Sequence, residues 1–101
     1  MSEFLEAMAF RHACKQFDTE KQIPAEEFES LLEVARTSPS SFGMEPWRLI
    51  VIRKPALRKA LKSACWNQNQ ITECSELVIF TTDNDTVRSG TPYVRKMFER
   101  R

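Results

Sequence analysis

Residues 38–52 read SPSSFGMEPWRLIVI, and this stretch decides the fold. Its first part holds three serines, a glycine and two prolines, and Pro39 disfavours helical geometry at the residue before it. Its second part, Trp47 to Ile52, is rich in β-branched residues and lies between two prolines, which predicts a strand. The stretch therefore predicts an irregular polar loop that leads into a buried strand.

The polar loop, residues 38–47, is called here the serine-proline loop, and two interpretations of it stay open. Its hydroxyls and backbone N–H groups can hydrogen-bond the edge of a planar heterocycle, with Pro39 and Phe42 as apolar walls. Alternatively, the loop only connects a helix to a buried strand. Composition alone does not decide between a ligand site and a connector.

Helical and strand patterns flank this stretch on both sides. Before it, residues 24–36 repeat apolar side chains at helical spacing behind Pro24, which predicts a helix. After it, residues 55–65 predict another helix, and residues 77–80 predict a strand that is covered on both faces. Since a helix then lies between two strands, we expect a crossover connection, as between parallel strands.

The N-terminal region carries a cluster of cations. Residues 2–9 predict a short helix with Ser2 as its N-cap. The next residues, 10–18, are called here the basic segment, because they mix cationic side chains with two phenylalanines. Their apolar residues follow neither the helical nor the strand periodicity. A guanidinium beside a lysine can hold a phosphate, although basic triplets are more often solvated faces. The cations are Arg11, His12 and Lys15.

The tail from Thr86 to Arg101 is basic and ends in an amphipathic pattern. Its apolar residues suggest a helix that is cut off without a C-cap, so that Met97 and Phe98 stay uncovered. Its cations are not interleaved with an aromatic array, and the net charge is only +1, so we expect no nucleic-acid binding.

Composition excludes several functional classes. A chain of 101 residues allows one domain, and two glycines leave no room for a Gly-rich dinucleotide loop or P-loop. One histidine and three cysteines without C-x-x-C spacing give no expectation of a metal site. An odd number of cysteines without a signal peptide favours a cytoplasmic protein with free thiols, and no apolar run reaches membrane-spanning length. Cys14 is accordingly interpreted as a packing residue rather than a redox thiol.

The ordered set of motifs resembles the nitroreductase family of flavin-dependent NAD(P)H oxidoreductases. R-H-x-x-K-x-F begins at Arg11, and after one helix S-P-S-S-x-G-x-E-P-W follows at residues 38–47. The sequence Glu-Cys-Ser at residues 73–75 then leads into the second strand. Each motif is modest alone, but together they span nearly the whole chain.

The resemblance implies an α+β sandwich built as an intertwined homodimer, with FMN bound at the subunit interface. It also implies hydride transfer from NADH or NADPH, through FMN, to a small-molecule acceptor such as a nitroaromatic, a quinone or a free flavin. Two further expectations follow: no nucleic acid and no membrane as partner. The residues implied to bind FMN are Arg11, His12, Ala13, Lys15, Pro39, Ser40, Ser41, Asn67 and Gln70.

The resemblance also implies a role for each group of these residues. Arg11 would hold the phosphate, with His12 and Ala13 along the phosphate and ribityl chain. Lys15 would approach the pyrimidine end of the ring, where a fixed cation stabilises negative charge. Pro39, Ser40 and Ser41 of the serine-proline loop would touch the flavin of the partner subunit. Asn67 falls where relatives carry an amide that contacts the flavin ring, and Gln70 falls where some relatives carry a lysine.

The chain departs from the family pattern in two respects. Glu45 stands where many relatives carry glutamine, so that one loop contact is changed. Family members are also much longer, and we therefore expect residues 1–101 to be the N-terminal part of a single nitroreductase-like domain, truncated before its second half. The alternative is a catalytically inactive remnant that acts as a binding or dimerisation module.

Overall fold

The computed structural model describes residues 2–100, which form five α-helices and two strands. Short 3₁₀ turns lie at Ser41–Gly43 and Ser63–Cys65. The predicted elements are present, with ends shifted by a few residues. The elements are α1 (Glu3–Phe10), α2 (Ala25–Thr37), β1 (Trp47–Ile52), α3 (Pro55–Lys62), α4 (Gln70–Glu73), β2 (Leu77–Thr82) and α5 (Pro92–Glu99).

The two strands form an antiparallel pair, in which Trp47 lies opposite Thr82 and Ile52 lies opposite Leu77. The expectation of a crossover connection, as between parallel strands, was therefore wrong. The physical reason is that α3 and α4 turn the chain back at the end where β1 finishes. Arg58 on α3 donates hydrogen bonds to the carbonyls of Ile52 and Cys74, which ties the two ends of this connection together.

Helix α2 ends where Pro39 predicts that it should. Its first turn carries two glutamates and its last turn carries Arg36, charges that complement the helix dipole. At Ser38 the backbone leaves the helical region (φ −66°, ψ 145°), as the residue before a proline usually does. Phe28 is buried on this helix and anchors it.

Helix α5 is capped at both ends and is more buried than the sequence indicates. The Thr91 hydroxyl accepts a hydrogen bond from the Val94 N–H, and the Arg100 N–H donates to the carbonyls of Met97 and Phe98. Met97 is buried, which corrects the expectation that it is uncovered, whereas Phe98 is half exposed. The reason is that the face of α5 that carries Met97 packs on the 3₁₀ turn of the serine-proline loop.

Much apolar surface remains exposed within this chain. Phe80 lies within β2, opposite Leu49, and is 68% exposed, so the expectation of a strand covered on both faces was wrong. The radius of gyration is 17.5 Å, compared with about 13 Å for a compact domain of this length. The helices and strands are therefore less compactly packed than in a typical domain of this length. The buried apolar residues within positions 2–100 are Phe28, Ile52, Val94 and Met97.

Two further features concern membranes and metals. Among residues 2–100, no helix combines the length and the apolar character that crossing a bilayer requires. In the same part of the chain, no three His, Cys, Asp or Glu side chains come together as a potential metal site. The three cysteines are half-buried free thiols.

Candidate cofactor site

The basic segment follows α1 and is held by local contacts. Arg11 caps the C-terminus of α1, where its backbone N–H donates to the Ala7 carbonyl at 3.0 Å. The side chains of Arg11 and Lys15 are exposed, and neither makes an ion pair with a residue in the range 2–100. Both cations are thus available to an anionic ligand.

One nitrogen of the His12 ring is held by a hydrogen bond. Its Nδ1 lies 3.0 Å from the Phe10 carbonyl oxygen, and a carbonyl can only accept a hydrogen bond. Nδ1 therefore carries a hydrogen and donates it to this carbonyl. The Phe10 ring packs edge-on against the imidazole, with 5.8 Å between centroids, which fixes the orientation of His12 further.

The serine-proline loop closes on the Ser40 hydroxyl. This oxygen accepts a 2.8 Å hydrogen bond from the Glu45 N–H, while the Ser40 carbonyl accepts one from the Gly43 N–H. Ser40 keeps its hydroxyl proton for donation, and Pro39 and Ser41 are exposed. The loop therefore presents a hydroxyl edge to its surroundings.

The tight shape of the serine-proline loop places two of its residues in strained backbone conformations. Phe42 and Glu45 have positive φ angles of 53° and 48°, a region that side-chain-bearing residues rarely adopt. Such conformations persist only where the surroundings enforce them. Here the support comes from α5, since the Tyr93 hydroxyl donates to the Met44 carbonyl at 2.6 Å.

Asn67 and Gln70 lie on the turn between α3 and α4. Asn67 adopts a left-handed conformation (φ 56°), and its N–H donates to the Lys62 carbonyl at 2.9 Å. Gln70 begins α4 and is half-buried. Between α3 and Asn67 stands Trp66, also left-handed and 90% exposed. Sequence reasoning missed Trp66 as a candidate, although a tryptophan at the head of a polar run was a visible signal.

Two carboxyl groups have perturbed titration near these elements. Hydrogen bonds from the Arg36 guanidinium, at 2.5 and 2.8 Å, lower the pKa of Glu33 and raise the pKa of Arg36. The Thr86 hydroxyl and N–H donate to Asp83 and lower the pKa of its carboxyl. Neither carboxyl belongs to the predicted site.

The predicted site residues fall into three groups on different elements: the basic segment, the serine-proline loop and the turn of Asn67. The hydrogen bonds of His12 and Ser40 stay within their own groups, and the Asn67 N–H bonds Lys62 on the adjoining α3. Two cavities of about 360 and 500 Å³ lie beside the ends of two groups: Trp47 of the serine-proline loop lines the first, and Phe17 and Asp18 of the basic segment line the second. The residues implied to bind FMN line neither of them. The three groups remain separate within one chain.

The chemistry of these groups fits a phosphorylated planar heterocycle. The basic segment offers two exposed cations that form no ion pair within residues 2–100, which suits a phosphate. The loop offers hydroxyls, and the turn offers carboxamides, which suit the polar edge of a ring. FMN has both a phosphate and such an edge, so the donor set matches its two ends.

Comparison with known proteins gives a consistent picture. The chain matches the Nitroreductase family over residues 8–99. It is 47% identical over 95 residues to a Staphylococcus aureus protein named "Putative NAD(P)H nitroreductase", and this match covers 92% of the chain and 42% of that protein. The chain thus spans less than half the length of this relative.

The chain also matches about half the length of solved structures. A nitroreductase-like protein from Streptococcus mutans, 21% identical, superimposes with a TM-score of 0.74 over 97% of this chain and 53% of that one. A "putative nitroreductase in complex with FMN" from Exiguobacterium sibiricum, 30% identical, gives a TM-score of 0.69 over 86% of this chain and 43% of that one. These likenesses confirm the predicted α+β fold.

Proposed function

Because this chain belongs to the nitroreductase family, as its motifs indicated, we propose that it is part of an FMN-dependent oxidoreductase. The reaction takes a hydride from NADH or NADPH and delivers it, through FMN, to a nitroaromatic, quinone or flavin acceptor. The observation that carries this proposal is the pair of exposed cations, Arg11 and Lys15, which lack acidic partners among residues 2–100. The FMN complex of the Exiguobacterium relative supports it.

FMN, when bound, supplies a ring that accepts and returns a hydride. The protein's own contribution begins with Arg11, whose planar guanidinium binds phosphate oxygens in a bidentate manner. His12, with Nδ1 committed to the Phe10 carbonyl, lines the phosphate end with Nε2. Lys15 places a positive charge beside the pyrimidine end and favours added electron density there.

The serine-proline loop contributes from the other subunit of a homodimer. Ser40 and Ser41 donate hydroxyl hydrogen bonds to the flavin of the partner, with Pro39 as an apolar wall. A shared site of this kind accounts for the separation of the three groups within one chain. It also gives the exposed phenylalanines of α1, Phe4 at 70% and Phe10 at 79%, a surface to cover them.

Residues 1–101 represent the N-terminal part of a single nitroreductase-like domain in this proposal. The 42% coverage of the S. aureus relative supports that assignment. Asn67 and Gln70 then contact the ring from the turn between α3 and α4. No observation on residues 2–100 favours the alternative of an inactive binding or dimerisation module.

A spectroscopic experiment tests this proposal. We expect the purified protein to show the visible absorbance of bound flavin, or to bind added FMN with a raised Tm. We also expect it to oxidise NADH or NADPH when menadione or nitrofurazone is present. A protein that stays colourless and that FMN does not stabilise would overturn the proposal and leave the inactive module.

A further inference from the structure

The guanidinium of Arg58 holds the turn that precedes β2. It donates hydrogen bonds to the backbone carbonyls of Ile52 (3.0 Å), Cys74 (2.6 Å) and Ser75 (3.0 Å). The side chain is half-buried, so these bonds are partly shielded from water. Because all three acceptors are backbone atoms, Arg58 fixes the path of the main chain through Ser75.

The Ser75 hydroxyl in turn holds the chain that follows the basic segment. It accepts a 2.7 Å hydrogen bond from the Ile23 N–H and donates a 3.2 Å hydrogen bond to Gln22 Oε1. These two hydrogen bonds join Gln22 and Ile23 to the chain just before β2. Both of them meet at one oxygen atom.

The C-terminal end of the basic segment lies beside this attachment, because Phe17 and Asp18 line a cavity of about 500 Å³ together with Cys74, Ser75 and Glu76. The hydrogen bonds earlier in the segment are local, from His12 to the Phe10 carbonyl and from the Cys14 thiol to the Gln16 carbonyl. This earlier part is largely exposed, and ordering exposed backbone costs free energy on binding. A fixed point beside the segment lowers that cost.

We propose that Ser75, held in place by Arg58, is a positioning residue for the phosphate end of FMN. It touches no cofactor atom and acts through the backbone at Ile23, which directs the basic segment and Arg11 within it. This inference rests on the proposed function. It adds to it a structural connection from Ser75, just before β2, to the phosphate-binding Arg11. Loss of the link selectively weakens the binding of a phosphorylated flavin.

The test compares FMN with riboflavin, which has the same ring and lacks the phosphate. For Ser75→Ala, we expect the Kd of FMN to rise about tenfold and the Kd of riboflavin to rise by less than about twofold. Ser75→Thr, which keeps the hydroxyl, should restore most of the FMN affinity. Ser30→Ala is the matched control, because the Ser30 hydroxyl bonds only the Glu26 carbonyl of its own helix.

Arg58 is tested by a double-mutant cycle. Arg58→Lys keeps the positive charge, but its three N–H donors sit on one nitrogen and do not reproduce the contacts of the separate Nε, Nη1 and Nη2 atoms. We expect it to weaken FMN binding more than riboflavin binding. If Arg58 acts through Ser75, the double variant should lose no more FMN affinity than the more severe single variant. Additive losses would contradict the link between the two residues.

Gln22→Ala provides a variant that leaves the sheet untouched, should Ser75→Ala fail to fold. Gln22 is exposed, and its loss should still raise the Kd of FMN about threefold while the Kd of riboflavin stays unchanged. Equal changes for the two flavins, or no change, would overturn the positioning role while leaving the proposed function intact. A wild-type protein that binds neither flavin would overturn the proposed function, and this inference with it.

Discussion

The hydroxyl of Tyr93 donates a 2.6 Å hydrogen bond to the backbone carbonyl of Met44, and this bond joins α5 to the serine-proline loop. On the same helix, the Phe98 ring lies 6.0 Å from the ring of Phe42. The loop backbone is strained at Phe42 and Glu45, where φ is positive. Helix α5 is therefore the element that holds the proposed flavin-contacting loop in shape.

Tyr93→Phe removes this hydrogen bond and leaves the ring in place. We expect the free energy of unfolding to fall by about 1 kcal/mol, since the Met44 carbonyl loses its donor. Hydrogen exchange at the amides of Gly43 and Glu45 should become faster, because the strained loop loosens. Arg95→Ala, an exposed change on the same helix, is the control. Unchanged exchange in Tyr93→Phe would contradict the supporting role of α5.

Lys15→Ala tests the cation at the pyrimidine end of the flavin. We expect the midpoint potential of bound FMN to become more negative, because the fixed charge that stabilises added electron density is lost. The FMN Kd should rise about tenfold. Lys15→Arg should keep most of both properties, and Lys21→Ala, which removes another exposed cation of the N-terminal region, should change neither. If potential and affinity both stay the same in Lys15→Ala, the assigned role is wrong.

Asp83 and Thr86 give the fold a pH dependence. The Thr86 hydroxyl donates to Asp83 at 2.5 Å and lowers the pKa of this carboxyl in the folded state. The resulting stabilisation is complete above the unfolded pKa of about 3.9 and is lost as the pH falls through the folded pKa. We therefore expect Thr86→Val to lower Tm at neutral pH and to match wild type in strong acid.

Thr86→Ser keeps the hydroxyl donor and serves as the control for that measurement. Its Tm should follow the wild-type curve with pH. A Thr86→Val deficit that is the same at every pH would show that packing, and not the carboxylate, causes it.

Met97 and Phe98 are adjacent on α5 but differ in burial. Met97 is 8% exposed and Phe98 is 51% exposed. Met97→Ala should lower the free energy of unfolding by about 2–3 kcal/mol, because it opens a cavity under the loop. Phe98→Ala removes a larger side chain, yet it should cost about 1 kcal/mol, because half of the ring is already in water. Denaturant unfolding of both variants measures this difference, and the reverse order would contradict the burial of Met97.

Local features of the fold were predictable from the sequence. Pro39 marks the end of α2 at Ser38, and the β-branched run after Pro46 marks β1, because both signals act on neighbouring residues. The family was also predictable, since its motifs at Arg11 and at the serine-proline loop are short and ordered.

Features that depend on distant contacts were not predictable in the same way. The antiparallel pairing of β1 with β2 depends on how α3 and α4 turn the chain back, and the bonds of Arg58 join the two ends of that connection. Sequence reasoning placed Arg58 only on a helix. Met97 is buried on the face of α5 that lies beside Gly43 of the serine-proline loop, far away in sequence. Phe80 is exposed because no other part of residues 2–100 covers that face of β2.

The exposed turn of Trp66 gives the protein an optical reporter. The chain has two tryptophans, and Trp47 at the start of β1 is half-buried, whereas Trp66 is 90% exposed. In a Trp47→Phe variant, all indole fluorescence arises from the turn beside Asn67, with the red-shifted emission of a ring in water. If a ligand or a second subunit covers this turn, the emission maximum of Trp66 shifts to the blue, so that binding can be followed without an added label.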